Sequence, residues 1–477
     1  MKKVVPAAIL VPILAAVLLA AVGFRLGTLA EKHYFAFLKR TSESPYLKCT
    51  GQKYDRGIFT SHARTEIEIV PREAFSGIIE EPLRFTLLHE IHHGPFPFGA
   101  IIENGMSWKP VMGTVKTVLQ RTADSHGGID PIEVMQNHTV LHLTGDGVSR
   151  FSVAPYRYVA TSENREIRLT GMDARLDFAP DFKTVSGTVN VPEAQTMGSD
   201  GTFAMKGFRA SFEFHEGTTG LPIGRISMTI DAIDLDGPVN SADRRLQVKV
   251  VGIAGAAGES GAVLQSSLTM HVDRMSLGKD PCGPGSLQVE LRNLDAESLA
   301  AFYRSLKEAG SQILAQPPEK ALQKVVPLGI QSLSALIGKS PEIELTRISL
   351  TTEKGDFVGK AKIVFDGSKS PSLENPFSLL TAFMAEAEFN VSERLAHEAV
   401  GAIYREEFDS ARERHGAALT RQEMDSLTEA LVNDKLDKMI EQDLLVKDGG
   451  QYKAHATVQA GRMQVNGRRI PLQKLLW

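Results

Sequence analysis

Apolar and polar positions along the chain fall into three regimes. The first is an unbroken apolar run from Val4 to Phe24, preceded by Lys2 and Lys3 and closed by Arg25. At a helical rise of ~1.5 Å per residue, about 21 residues reach roughly 30 Å, the thickness of a bilayer's hydrocarbon core. The run therefore predicts a membrane-spanning helix over residues 4–24, with Pro6 in its first turn and Pro12 as a kink. A cleavable secretory signal usually carries only ~7 to 15 apolar residues, so the length favours a retained anchor, although Ala20 and Ala21 would suit cleavage. The leading lysines stay cytoplasmic by the positive-inside rule, which places everything after Arg25 outside the cytoplasm.

The second regime, from about Tyr54 to Leu291, has period two and predicts half-buried antiparallel strands. Phe208, Ala210, Phe212 and Phe214 alternate with Arg209, Ser211 and Glu213; Leu246, Val248 and Val250 alternate with Gln247 and Lys249. Gly-rich stretches such as Gly217 to Gly220 suit hairpins. One spacing recurs: an apolar pair at i and i+2, a three-residue step, and a second such pair. It occurs at Ile167, Leu169, Met172, Ala174; at Phe203, Met205, Phe208, Ala210; at Met228, Ile230, Ile233, Leu235; at Met270, Val272, Met275, Leu277; and at Ile343, Leu345, Ile348, Leu350. An odd step flips the apolar face, so each strand must bulge, twist or break there. Ordinary sandwich strands and a stacked β repeat both fit.

The third regime is helical. Asp295 predicts an N-cap for a segment carrying Leu299, Phe302, Leu306 and Ile313 on one face, followed by a helix from Glu319 to Ile337 bent at Pro327. Ser392 caps a segment through Arg414, and Thr420 with Glu423 forms a capping box for a helix reaching about Gln442. Strands return at Tyr452 to Val458 and Met463 to Val465, with Asn466-Gly467 as a turn. The predicted fold class is α+β: a transmembrane helix, then a large antiparallel β-rich body with two helical insertions. Its expected divisions are 1–25, 26–291, 292–340, 341–391, 392–445 and 446–477.

Composition changes this picture little. With 42% hydrophobic and 23% charged residues the chain can build large cores, and a net charge of −4 gives no bulk attraction for nucleic acid. Two cysteines, Cys49 and Cys282, offer no spacing pattern that decides pairing.

Candidate chemistry is thin. His89-Glu90-Ile91-His92-His93 satisfies the metalloprotease string H-E-x-x-H, which requires both histidines on one helical face. Leu83 and Phe85 alternate as a strand upstream, and Gly94-Pro95 follows at once. In a strand, positions i and i+4 lie ~13 Å apart, too far to share one zinc ion. Gly338-Lys339-Ser340 is no phosphate loop, because Leu333 stands where the motif needs glycine. No nucleophile elbow or dinucleotide fingerprint is present, so neither catalysis nor a cofactor or metal is expected.

Three short stretches carry a family resemblance: Tyr54-Asp55-Arg56-Gly57-Ile58-Phe59-Thr60-Ser61, His93-Gly94-Pro95-Phe96-Pro97, and Val465-Asn466-Gly467 followed by Pro471-Leu472. In order and spacing they resemble the YdgA-like family of bacterial envelope proteins. The resemblance implies a single-pass inner-membrane protein with a large periplasmic body, and implies no reaction and no cofactor. Structural roles are the first expectation for Tyr54, Arg56, Gly57, Phe59, His93, Gly94, Pro95, Phe96, Pro97, Asn466 and Gly467. Gly57 and Gly94 would permit unusual backbone angles, Phe96 and Phe98 would plug one end of the core, and Tyr54 would stack on Arg56 at the start of the first strand.

The expected function is non-catalytic binding of a lipid or other envelope ligand on an extended β surface, with residues 4–24 held in the inner membrane. The alternatives are a scaffold that binds a protein partner or a second copy through the 392–442 helices, and a metal-dependent envelope hydrolase built on the His-Glu cluster.

Overall fold

The computed structural model describes residues 7–42, 47–69, 83–97, 110–121, 132–160, 165–199, 201–237, 245–277, 280–314, 326–327, 329, 332, 335–373, 375–415 and 421–470. Phe98, Thr420, Pro471, Leu472 and most of the expected 319–337 helix lie outside them, although 335–337 are helical. The chain divides into two compact units, Met1–Glu216 with Tyr303–Leu328, and Gly217–Phe302 with Gly329–Trp477. Both are antiparallel sheets carrying a few helices, and among the described residues strand outweighs helix about twofold, so the expected α+β balance is corrected to a predominantly β fold.

The helix does not stop where the apolar run ends: residues 7–24 of that run form the first half of α1 (Ala7–Ser42), whose second half carries Arg25, Glu31, Lys32 and Lys39. Tyr34 and Leu38, one turn apart on that half, are buried against Ala63 of the sheet. Among the described residues no helix is long and apolar enough to cross a membrane. This overturns the expected transmembrane helix over 4–24, and with it the single-pass inner-membrane placement and the periplasmic body. The physical reason is that the helix continues through charged positions and uses its later turns to pack on protein.

In the first unit the strands are β1 (Leu47–Arg56), β2 (Thr60–Ile69), β3 (Leu83–His93), β4 (Val111–Arg121), β5 (Ile132–His142), β6 (Gly147–Val153), β7 (Tyr156–Ala160), β8 (Arg165–Leu169), β9 (Met172–Phe178), β10 (Thr184–Gly198) and β11 (Gly201–Glu216). They form a meander from β1 to β6. β6 then pairs with β9, while β9 and β8 lie end to end along β10, whose other edge takes β11. The second unit holds β12 (Pro222–Asp236), β13 (Leu246–Ser260), β14 (Val263–Leu277), β15 (Asp280–Asp295), β16 (Glu342–Thr352), β17 (Gly355–Phe365), β18 (Phe383–Ser392), β19 (Val446–Asp448), β20 (Gln451–Gln459), β21 (Arg462–Val465) and β22 (Arg468–Ile470).

The three-residue step is resolved in each way that the pattern allows. Between Leu169 and Met172 the chain breaks into β8 and β9, with Gly171 at φ 134°. In β11, Gly207 at φ 65° faces Pro192, and the ladder skips that pair, which suits a residue with no N–H to donate. In β16 the register shifts against β17 between Leu345 and Ile348, as a bulge does. In β12 to β14 the interruption is shared. Ile230 pairs with Val251 and Val251 with Val272; beyond the break Ile233 pairs with Val248 and Val248 with Met275, while Val250 takes φ 50°. Because neighbouring strands change face at the same level, apolar pairs still meet apolar pairs.

Among the helix caps that the described residues include, one departs from expectation. α2 (Ala296–Leu314) starts after Asp295, whose carboxylate accepts the Ser298 N–H at 2.9 Å, and its Ala296 and Ala300 pack on Leu221, Ile223 and Leu264. A short α3 (Pro376–Ala382) has Asn375 as its cap. α4 (Glu393–His415) and α5 (Arg421–Glu441) match the expected segments, but the Ser392 hydroxyl accepts the Asp356 N–H of β17 instead of capping α4. Ala396, Val432, Leu436, Leu445, Tyr452 and Ala454 make the contiguous core beneath α4 and α5.

Candidate functional site

The second half of α1 lies against β1 and β3, and two of the three motif stretches converge beneath it. Tyr54 and Arg56 stand at the end of β1 and contact the helix, not each other. The Tyr54 ring lies 5.2 Å from Tyr34, and the Arg56 guanidinium sits 5.0 Å over Phe24 and 2.9 Å from Glu31. Phe59 accepts the His93 backbone N–H at 2.7 Å, which ties the β1–β2 turn to the end of β3. His93 is 2% exposed, and its Nε2 lies 2.8 Å from the Ser61 hydroxyl. Gly57 and Gly94 serve close approach, not unusual dihedrals: a Cβ would stand 2.2 Å from the Thr60 carbonyl oxygen and 1.8 Å from that of Val111. Pro95 accepts the Val111 N–H at 2.9 Å, and Pro97 is fully buried. Asn466 and Gly467 belong to the second unit. There they form the β21–β22 turn with φ of 49° and 82°, and the Asn466 side chain accepts the His455 N–H and donates to the Asp443 carbonyl.

Between α1 and the strands lies a cavity of about 350 Å³. Leu26, Leu29 and Ala30 form its helical wall, and Ile91, Met112, Val115 and Leu141 form much of its floor. Gly27 sets how near the helix comes, since a Cβ there would meet His93 Nε2 at 3.0 Å. Three polar side chains of the wall bond to neighbours in the sheet, while His89 Nε2 and Thr114 Oγ1 are buried without a partner. Besides the His93 bond to Ser61, Tyr34 shares a 2.7 Å bond with Thr65 and His89 Nδ1 lies 2.9 Å from the Thr117 hydroxyl. Burial lowers the His89 imidazole to about 4, and burial with the neighbouring His92 lowers His93. Both rings are therefore neutral near pH 7, and the chamber presents an apolar lining.

His89 and His93 lie on β3, with Glu90 on the opposite face beside His92, whose Nε2 is 3.3 Å away. Among the described residues no cluster of three His, Cys, Asp or Glu side chains is placed to hold a metal ion. Both Cys49 and Cys282 are free thiols. What the sequence reading missed is the contribution of α1 beyond Arg25. Its signal was present as one helical face carrying Gly23 and Gly27 one turn apart and, two turns on, Tyr34 and Leu38 one turn apart.

No curated protein and no solved structure matches the chain. A family model described as a bacterial protein of unknown function (DUF945) matches residues 1–473, and the chain belongs to that family.

Proposed function

We propose that this protein is a non-catalytic binder of an apolar chain, such as the acyl tail of a lipid, and that the cavity beneath α1 receives it. The carrying observation is the chamber of about 350 Å³ in which Leu26, Leu29, Ile91, Met112, Val115 and Leu141 supply aliphatic surface, while Tyr34, His93 and the Nδ1 edge of His89 bond to Thr65, Ser61 and Thr117. Ligand pockets typically span ~300 to 1,000 Å³ with such linings. Each methylene removed from water contributes about 0.8 kcal/mol, so roughly ten would support micromolar affinity before association costs. The Tyr54–Ser61 and His93–Pro97 strings, which build the floor's margin, support a finer placement among YdgA-like members of the family.

Displacement of a fluorescent fatty acid from the full chain tests the proposal. Saturable binding by the wild type, lost in Ala30→Trp with an unchanged circular-dichroism spectrum, is the expected result. No displacement, together with no lipid retained in native mass spectrometry, would remove the reading. A scaffold reading draws on exposed Ile403 of α4 and Leu427 of α5, 59% and 41% accessible. Crosslinking that traps protein at those positions, with no lipid bound anywhere, would favour it instead.

A further inference from the structure

On the face of the first unit's sheet opposite the α1 cavity, one cross-strand row carries basic or imidazole side chains on four successive strands. Lys116 of β4 pairs with His138 of β5, His138 with Arg150 of β6, Arg150 with Arg175 of β9, and Arg175 with Thr188 of β10. Like charges directly opposite one another destabilise a ladder. Like charges also oppose one another at Lys249–Arg274, at Arg157–Arg168 and at Glu290–Glu344, the last two pairs being bridged by Glu166 and by Arg292, while other positions pair opposite charges. Arg292 faces Glu342 at 2.6 Å and Lys360 faces Glu388 at 2.9 Å. In the basic row Arg175 makes two 2.7 Å bonds to Asp177, whose carboxylate also feels Arg150 without forming an ion pair with it. Among the described residues neither Lys116 nor Arg150 has a carboxylate within ion-pair distance. Glu90, opposite Lys116, is instead beside His92.

The row borders a hollow of about 700 Å³. Gln136, Ser152, Thr188 and Asn190 add uncharged hydrogen-bonding groups, and Asp173 is the carboxylate at its edge. Lys116 and Arg150 stand two strand spacings apart, roughly 10 Å, on either side of His138. The His138 imidazole is held below its ordinary value by burial and by Arg150, Lys116 and His92, so the hollow already disfavours a further positive charge.

We propose that this hollow is an anion site for a phosphoryl group carried on a hydroxylated body, with Lys116 and Arg150 as its charge partners and Thr188 and Asn190 reaching the hydroxyls. Such a group occurs on soluble phosphate esters and on phospholipid headgroups. A phosphate supplies the missing countercharge and relieves the repulsion across β4, β5 and β6. The site is on the other face from the acyl cavity and does not depend on it.

Calorimetric titration of the full chain with inorganic phosphate and glycerol phosphate, beside flotation with phosphatidylcholine vesicles with and without phosphatidylglycerol, tests the assignment. Saturable binding of the esters is expected to weaken about tenfold or more in the Lys116→Gln/Arg150→Gln variant, the loss of charge-assisted hydrogen bonds. Lys360→Gln, which removes a cation paired with Glu388, leaves binding unchanged. Binding of the esters alone identifies a soluble ligand, and flotation that requires phosphatidylglycerol identifies a headgroup; either supports the site. The double variant, freed of repulsion, is expected to unfold at an equal or higher temperature without phosphate and to lose the stabilisation by phosphate seen in the wild type. Arg150→Gln alone gives the same readouts should the double variant fail to fold. No binding of either probe, or equal binding by wild type and variants, overturns the proposal.

Discussion

Helices close over an apolar sheet face in both units, and they do so with opposite results. Under α4 and α5, aliphatic residues from both layers interdigitate: Val432, Leu436 and Leu445 are 3%, 3% and 5% exposed and meet Phe389, Val391 and Tyr452. Under α1 the helix sets Leu26, Leu29, Ala30 and Tyr34 over a floor that mixes Ile91, Met112, Val115 and Leu141 with His89, His93 and Thr114, and about 350 Å³ stays open. The hollow beside α4 and α5 is different again, being bordered by Lys354, Glu398 and Arg405, which pair with one another. A filled interface and a chamber thus follow from the side chains supplied. Close packing is the ordinary condition of an interior, so the unfilled interface is the one to associate with a ligand.

The largest effect that separates the two comes from truncation. Leu436→Ala removes a buried side chain from a filled cluster and is expected to cost about 3 kcal/mol, within the usual ~2 to 5 kcal/mol. Leu29→Ala merely enlarges an existing space beside a residue 43% exposed, and roughly 1 kcal/mol or less is expected. Urea unfolding of both variants measures the contrast; equal losses would mean that the α1 interface is packed like the other.

Acid sharpens the same comparison. The folded state holds His89 at about 4 against 6.5 in the unfolded chain, so at intermediate pH the unfolded state binds the extra proton. Stability from this group is fully present above about pH 6.5 and is lost as pH falls toward 4, by on the order of 3 kcal/mol in total. His93, lowered in the same direction, adds to the slope. His89→Gln is expected to flatten the wild-type dependence of unfolding free energy between pH 6.5 and 4. A variant with the full wild-type slope would place the titration elsewhere.

How much of this was legible depends on the range of the interaction involved. Alternation is local, so the strands and the odd three-residue step could be read directly; the step required a bulge, a twist or a break without saying which, and the structure has a break at Gly171, a left-handed Gly207 and a bulge at Leu345–Ile348. The strand context of His89 and His93 was legible for the same reason. The partners of Tyr54 and Arg56 were not, because Tyr34 and Glu31 lie twenty or more residues upstream, on a continuation of the helix past Arg25 that the apolar run does not announce. The basic row was hidden more thoroughly. Lys116, His138, Arg150 and Arg175 look like ordinary solvated positions until the register of β4, β5, β6 and β9 sets them side by side.

The smallest test concerns what holds α1 down. Arg56 touches the helix twice, through Glu31 at 2.9 Å and over the Phe24 ring at 5.0 Å, yet its side chain and that of Glu31 are 36% and 31% exposed. Exposed ion pairs contribute ~0.2 to 1 kcal/mol and exposed cation–π contacts about the same, so Arg56→Gln is expected to cost roughly 1 kcal/mol. Glu31→Gln removes the pair but keeps the ring contact, and about half that loss is expected. Raising salt should shrink the Glu31 share and spare the Phe24 share, since screening acts on exposed charges and little on a cation seated on a ring. Hydrogen exchange along residues 25–38 is the sensitive readout: faster exchange in Arg56→Gln, with β2 and β3 unchanged, marks the contact as a clamp on the cavity's roof. Equal acceleration in the strands would mean that Arg56 supports the whole sheet edge, and the roof would then be held by Tyr34 and Leu38 alone.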